Sequence, residues 1–444
     1  MPDDPAAGPS GPAAATRPKA AVLVTGSELL TGLVQDANGP YLARELGGLG
    51  FEVSELMLVG DRPEDLRSAL EFVSGNGADL VITSGGLGPT ADDLTAEVVA
   101  GFCGVQSRLD DRVRETIDAK IARWASRSGF DGAALDEATR KQAMVPDGAS
   151  VLEPVGTAPG LVLRGATGPL VVVLPGPPRE LQGMWPSALT SSPMVELLAG
   201  VPHAEPRLLR FFGLPESEIA ATLREIETSG GFPDLARVEV TTCLRRSELE
   251  VDLHPLPGAE KTAESLAEAI IDKHRRNLVS ADGTTTDELL ARALGEHGLT
   301  VATGESCTGG LLAGRLIDRP GSSSYVSGGV VAYSNEAKTS LLGVPAEMID
   351  THGAVSPEVA RALADGARER FGADIGIGIT GVAGPDGGTE AKPVGYVCFC
   401  VTTREGQVLA RDMQLPGGRA DLRERSVDRG MHLLLRAAGG LPRG

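Results

Sequence analysis

LTVATGESCTGGLLAGRLI, residues 299–317, changes its hydrophobic period halfway along. Leu299 to Thr303 is a short apolar run of the kind that forms a buried strand, and Leu311 to Ile317 has the apolar spacing of a helix. Between them lie Glu305-Ser306-Cys307-Thr308-Gly309-Gly310. A strand that breaks through glycines into a helix is a unit of an α/β sheet, and such sheets bind ligands outside the carboxyl ends of their strands. The reading therefore puts Ser306 on that rim. It expects the amides of Thr308, Gly309 and Gly310 to be unpaired at the helix start and able to hold a phosphate or an oxyanion. The alternative is plain: Ser306 caps the helix and the glycines only turn the chain.

Working outward, the same alternation continues. Val326 to Tyr333 reads as a strand, Pro357 to Phe371 as a helix capped by Ser356, and Ile375 to Ile379 as a strand running into Thr380-Gly381-Val382-Ala383-Gly384-Pro385. Gly395 to Val401 reads as a further strand and Arg419 to Ala437 as a closing helix. Two glycine-rich loops, 305–310 and 381–388, would face each other across a pocket of mononucleotide size. The G-x-S-x-G elbow fails at its last position, and no phosphate-binding G-x-x-x-x-G-K-[ST] occurs. His352 sits in a turn-like Thr-His-Gly and does not read as a base. If Ser306 is a nucleophile, Tyr333 and Lys338 are the nearest candidates to activate it, since a desolvated lysine can accept a hydroxyl proton.

Upstream of this module the chain alternates too. Strands at Ala20 to Thr25, Phe51 to Val59 and Leu80 to Thr83 interleave with helices after Asn38, at Pro63 to Val73 and at Ala91 to Phe102. A polar helical stretch follows over 108–143, then strands at Gly160 to Leu163 and Leu170 to Leu174. This predicts a mostly parallel sheet covered on both faces. Ser84-Gly85-Gly86-Leu87-Gly88-Pro89-Thr90 leads to Asp92 and Asp93, two carboxylates expected in the first turn of a helix. They would either cap that helix or hold a divalent cation against a diphosphate. Residues 203–256 read as a small α+β unit, and the helical stretch 259–276 as a bridge to the last module. The expected divisions are a tail at 1–18, domains at 19–200 and 285–444, the small unit at 203–256 and a linker at 257–284.

The chain has 444 residues, 41% hydrophobic but only 3% aromatic, so its cores must be aliphatic. With 41 basic and 60 acidic residues the formal net charge is -19. That opposes direct binding to nucleic acid or to anionic lipid, and leaves small phosphorylated substrates open. Five scattered cysteines make no disulfide framework. No signal peptide or membrane span is evident, so a cytoplasmic protein is expected.

The segments Glu305 to Gly310, Gly-Gly-Val-Val-Ala-Tyr-Ser-Asn-Glu-Ala-Lys (328–338), Gly-Ala-Val-Ser (353–356) and Gly-Val-Ala-Gly-Pro-Asp-Gly-Gly (381–388) resemble the CinA C-terminal family. That family includes amidohydrolases that convert nicotinamide mononucleotide to nicotinic acid mononucleotide and ammonia. The resemblance implies Ser306 as nucleophile, with Tyr333 and Lys338 in proton transfer. It also implies an arginine at the start of the last helix, Arg419, with Arg423 and Arg425 as close alternatives. Thr308, Gly309, Gly310, Asn335, Thr380, Gly381, Gly384, Gly387 and Gly388 would line the substrate site, with no cofactor. In the N-terminal half, residues 26–32, 36–38, 59–61, 85–95, 156–160 and 175–180 resemble the molybdopterin-binding fold as the CinA N-terminal family uses it. Ser27 and Ala37 stand where that family more often has Thr. Members of that family are associated with metal-dependent ADP-ribose pyrophosphatase activity, which implies a Mg²⁺ or Co²⁺ ion. Asp92 and Asp93 would hold it, beside a site at Gly85, Gly86, Gly88, Thr90, Thr157 and Gly176.

The fold class expected is α/β: a three-layer molybdopterin-binding-like domain, a small α+β middle unit and a C-terminal α/β domain of the CinA type. The expected partners are nucleotide substrates and a second copy in a homodimer. The competing functions are a non-catalytic partner in competence or recombination, and a molybdopterin-binding protein.

Overall fold

A computed structural model of the chain describes residues 17–125, 132–201, 205–232 and 234–440. The expected N-terminal tail and the middle of the polar stretch 108–143 thus fall largely outside the described residues. Contacts divide the chain into two units, Met1–Glu205 with Leu256–Gly258, and Pro206–Pro255 with Ala259–Gly444.

The first unit is built on eight strands: β1 (Lys19–Thr25), β2 (Glu52–Val59), β3 (Leu80–Ser84), β4 (Ser107–Leu109), β5 (Met144–Pro146), β6 (Ser150–Leu152), β7 (Gly160–Arg164) and β8 (Leu170–Leu174). Six form one sheet in the order β2-β1-β3-β8-β7-β6. The first four strands in that order run parallel; β7 and β6 are antiparallel additions. Alternate side chains serve opposite faces. Val22, Ile82 and Val172 enter a core with Trp185, while Leu23, Val81 and Val171 enter a second core with Leu70. A sheet buried on both faces needs near-continuous apolar strands, which is the pattern the sequence showed. One boundary differs from expectation. The helix predicted from Ala91 starts at Thr95. Asp92 and Asp93 therefore precede it in a turn, because Asp93 accepts from the Thr90 amide at 2.8 Å and both carboxylates take the Thr90 hydroxyl.

The second unit contains two sheets. Strands β9 (Arg207–Phe212), β10 (Val238–Arg245), β11 (Glu248–Pro255) and β12 (Leu278–Ser280) form an antiparallel sheet in the order β10-β11-β9-β12. The helices Glu216–Ser229 and Glu260–His274 pack on one face of it, through Ile219, Leu266 and Ile270. The stretch read as a bridge is thus part of this small unit's own core.

The other sheet holds β13 (Val301–Glu305), β14 (Val326–Val331), β15 (Ile375–Gly381), β16 (Tyr396–Thr403) and β17 (Val408–Gln414), ordered β14-β13-β15-β16-β17. The first three strands run parallel and the last two antiparallel. The closing helix Arg419–Ala437 covers one face through Met431 and Leu434. The helix Pro357–Phe371 covers the other, and it lies unusually close. A Cβ on Gly378 would stand 2.0 Å from the Ala360 carbonyl oxygen, and one on Gly376 2.1 Å from that of Ala364. The alternating Ile-Gly-Ile-Gly of β15 thus gives large side chains to one layer and none to the other. Among the described residues no helix is long and apolar enough to cross a membrane.

Candidate active site

The carboxyl ends of β13, β14 and β15 form one rim. Glu305 ends β13 opposite Val331 of β14, and the Ala332 amide donates to the Glu305 carbonyl at 2.8 Å. The Ser306 amide donates to the Ile379 carbonyl of β15 at 2.9 Å. Ser306, Tyr333 and Thr380 therefore leave three adjacent strands at the same edge, where the sequence reading put the first two.

Ser306 is buried, as is Lys338 at 2% exposure. Lys338 lies in the helix Asn335–Leu342 and folds back so that Nζ donates to the Tyr333 carbonyl at 3.1 Å. Burial pushes its pKa below the ordinary lysine value, against the opposing pull of Cys307 and Glu336. A lysine so placed, beside the residue that follows Ser306, can exist as the neutral amine a general base requires. Tyr333 is exposed, and its Oη accepts from Arg419 Nη2 at 3.1 Å. The same guanidinium donates through Nη1 to the Gly384 carbonyl at 2.7 Å. Arg419 thus ties the phenol to the second glycine loop. Of the alternatives left open, Arg423 instead donates to the carbonyls of Cys307 and Thr308, at 3.2 and 3.0 Å, and fastens the first loop. Arg425 lines a different cavity of the same unit.

The expectation of free amides is overturned at Gly309 and Gly310. The Glu305 carboxylate is fully buried beneath the start of the helix Leu311–Ile317. It accepts from the amides of Gly310 at 3.0 Å, Leu312 at 3.1 Å and Ala313 at 2.8 Å, and from the Thr303 hydroxyl at 3.1 Å. The Gly309 amide is also taken, by the Ser306 carbonyl at 3.2 Å. A carboxylate already neutralises this helix terminus, so it cannot also hold a substrate phosphate. Nor does the second loop open a helix: β15 returns through residues 382–395 to its antiparallel neighbour β16.

The remaining predicted residues divide by role. The Thr380 hydroxyl donates to the Ala354 carbonyl at 2.8 Å and holds the rim together. Asn335 is exposed at the start of the lysine-bearing helix, which Ser334 caps. Gly381 is half-buried and Gly384 buried, while Gly387 and Gly388 are exposed. Cys307 is inert: burial pushes its thiol up to about 12.

In the first unit, Gly86, Gly88 and Asp93 line a cavity of about 490 Å³, together with Arg67 and Lys141. Thr90 stands beside it, its carbonyl accepting from Lys141. Gly85 and Gly176 meet elsewhere: a Cβ on Gly176 would stand 3.5 Å from the Gly85 Cα, and Asn38 donates to the Gly176 carbonyl at 2.6 Å. Thr157 is exposed and, like Gly176, is not part of the cavity wall. The Thr90 hydroxyl holds Asp92 below the usual carboxylate range. Among the described residues no three His, Cys, Asp or Glu side chains gather at one point. Asp92 and Asp93 would thus supply at most two protein ligands, which suits Mg²⁺ shared with a substrate diphosphate rather than a closed protein cage.

Residues 283–438 match the family described as the CinA C-terminal domain, and residues 21–203 that described as a probable molybdopterin binding domain. The chain is 52% identical to a CinA-like protein of Mycobacterium marinum over 94% of its own length and 98% of the relative's. It is 53% identical to a CinA-like protein of Mycolicibacterium gilvum, over 95% and 99%. Among solved structures, the competence/damage inducible protein CihA from Agrobacterium tumefaciens is 40% identical over 36% of this chain and 99% of that one, with a TM-score of 0.34.

Proposed function

Because this chain belongs to the CinA family, we propose that its C-terminal domain deamidates nicotinamide mononucleotide to nicotinic acid mononucleotide and ammonia. The observation that carries this reading is the gathering of Ser306, Lys338, Tyr333 and Arg419 at one strand rim. Neutral Lys338 accepts the Ser306 proton as Oγ attacks the carboxamide carbon. Collapse of the tetrahedral intermediate breaks the C–N bond, and the lysine proton leaves with ammonia. Water then attacks the ester, gives a proton to Lys338 and releases the acid, and that proton restores the Ser306 hydroxyl. Arg419 positions the Tyr333 phenol for relay. With the helix start closed by Glu305, the substrate phosphate falls to Arg419 and the exposed loop at Gly387 and Gly388.

The test is ammonia release from nicotinamide mononucleotide by the wild-type protein and by Ser306→Ala. The wild type should turn over; the variant should fold, by circular dichroism, and release none. Equal turnover by the two would remove Ser306 as nucleophile.

The cavity beside Gly86 and Asp93 favours a second activity in the first unit, cleavage of a nucleoside diphosphate such as ADP-ribose. Asp92 and Asp93 would hold a Mg²⁺ or Co²⁺ ion that neutralises diphosphate charge. AMP formed from ADP-ribose only when that metal is added would support it; none formed with either metal would end it. A cytoplasmic homodimer is the setting proposed for both activities.

A further inference from the structure

The second unit contains a cavity with a different chemistry from the Ser306 rim. It measures about 380 Å³ and is walled by Arg276, Arg411, Arg429 and Arg436, with Asn277 and His432. No Asp or Glu forms part of the wall. Arg276 lies just before β12, Arg411 comes from β17, and Arg429 and Arg436 stand two turns apart on one face of the closing helix. Three segments distant in sequence thus bring four guanidinium groups to one hollow.

These cations lack the partners that arginines have elsewhere in the same unit. Arg210 reaches Glu250 at 2.6 Å, and Arg315 reaches Asp287 at 2.8 Å and Asp428 at 2.6 Å. Among the described residues no ion pair joins any of the four to a carboxylate; Arg411 donates only to the neighbouring Ala410 carbonyl. In a chain of net charge -19, such a grouping is the reverse of what random placement gives. Burial, and then the nearby Arg411, pulls Arg429 below the ordinary arginine value. An arriving anion would remove that mutual repulsion.

The hollow is held in shape from within. Arg429 lies over the Phe212 ring at 4.2 Å, and His432 stacks on the same ring at 3.5 Å. Asn277 Nδ2 fixes the Phe212 carbonyl at 3.0 Å. Arg429, Phe212, Gly213 and Met413 also wall an adjoining cavity of about 410 Å³, where Leu244, Leu415 and Pro416 supply apolar surface beside Glu216 and Arg425. Each volume lies within the range of about 300–1,000 Å³ that small-molecule sites occupy.

We propose that this double cavity binds a nucleoside polyphosphate, its phosphates among the four arginines and its nucleoside in the apolar half. Guanidinium forks match phosphate oxygens bidentately. A nucleic acid is the poorer fit, since it needs a positive stripe continuing past the cavity. The site is separate from the Ser306 rim. Arg419 and Arg423 leave the same helix toward Gly384, Cys307 and Thr308, whereas Arg429 and Arg436 face Phe212 and β17. The inference is independent of the deamidase reading.

Calorimetric titration of the full chain with ADP, inorganic pyrophosphate and adenosine tests it, with nicotinic acid mononucleotide, which the proposed deamidation does not consume, in excess throughout. ADP and pyrophosphate should bind, and adenosine should bind at least about tenfold more weakly. The exposed pair Arg276→Gln/Arg436→Gln should melt like the wild type and bind ADP at this site about 30-fold or more weakly, as two charge-assisted contacts imply. If ADP also enters the first unit, the double variant should lose one of two sites. The proposal is overturned if the wild type binds neither ADP nor pyrophosphate, or if the double variant keeps the wild-type affinity and stoichiometry. Adenosine binding as tightly as ADP would overturn it equally.

Discussion

Glu305→Gln separates a structural role from a catalytic one beside Ser306. The carboxylate divides its acceptors, Oε2 for the Gly310 and Leu312 amides and Oε1 for that of Ala313. A glutamine offers one oxygen and turns an NH₂ toward at least one N–H. Hydrogen bonds to a charged acceptor are worth about 1.5–3 kcal/mol against about 0.5–1.5 for a neutral one, so three weakened bonds lose about 3 kcal/mol. Solvent cannot repair this readily, because Glu305 is fully buried. Native-state hydrogen exchange at residues 310–313 reports the change. Opening there should become about 100-fold more frequent in the variant. Protection within a factor of two of the wild type would refute the reasoning and return the helix start to ligand binding.

Three further outcomes follow from the site and its scaffold. If Lys338 is the base, kcat/KM on nicotinamide mononucleotide rises with pH, with its midpoint below the ordinary lysine value of about 10.4, and Lys338→Met removes that limb. Stability follows the same sign: the unfolded chain binds the extra proton between the lowered and ordinary values, so stability rises with pH across that window. Arg419→Ala frees both Tyr333 and the Gly384 loop, and kcat/KM should drop about 100-fold, as misplaced catalytic groups do; its melting temperature should hardly move, the side chain being exposed. Gly378→Ala drives a Cβ against the Ala360 carbonyl, at 2.0 Å, and should destabilise the second unit by about 3 kcal/mol in urea unfolding.

Much of this was legible because it rests on period and punctuation. The apolar run at 299–303 and the glycines at 309 and 310 placed Ser306 on the rim. The spacing of Ser356-Pro357 and the full extent Arg419–Ala437 match the observed helices. What escaped depended on contacts between distant residues. The role of Glu305 went unread, although an acid within reach of a following helix start is a dipole-compatible cap. The preceding helix, Thr286–His297, is capped by Thr285, because Glu288 completes a capping box with it. The stretch Ala91–Leu94 has helical propensity, yet Thr90 and Asp93 bond each other and make a turn. Strand β17, Val-Leu-Ala-Arg-Asp-Met-Gln, is a charged and exposed edge strand and lacks the apolar signal of its neighbours. The arginine hollow needed three remote segments to meet and left no local trace.

The central claim is that Ser306 and Tyr333 meet a nucleotide at one strand rim. A crystal structure of Ser306→Ala soaked with nicotinamide mononucleotide tests it most directly. The account predicts the carboxamide carbon about 3–3.5 Å from where the missing hydroxyl would stand, with Lys338 and the Tyr333 phenol beside it. Nucleotide bound elsewhere, with that rim filled by protein side chains, would contradict it.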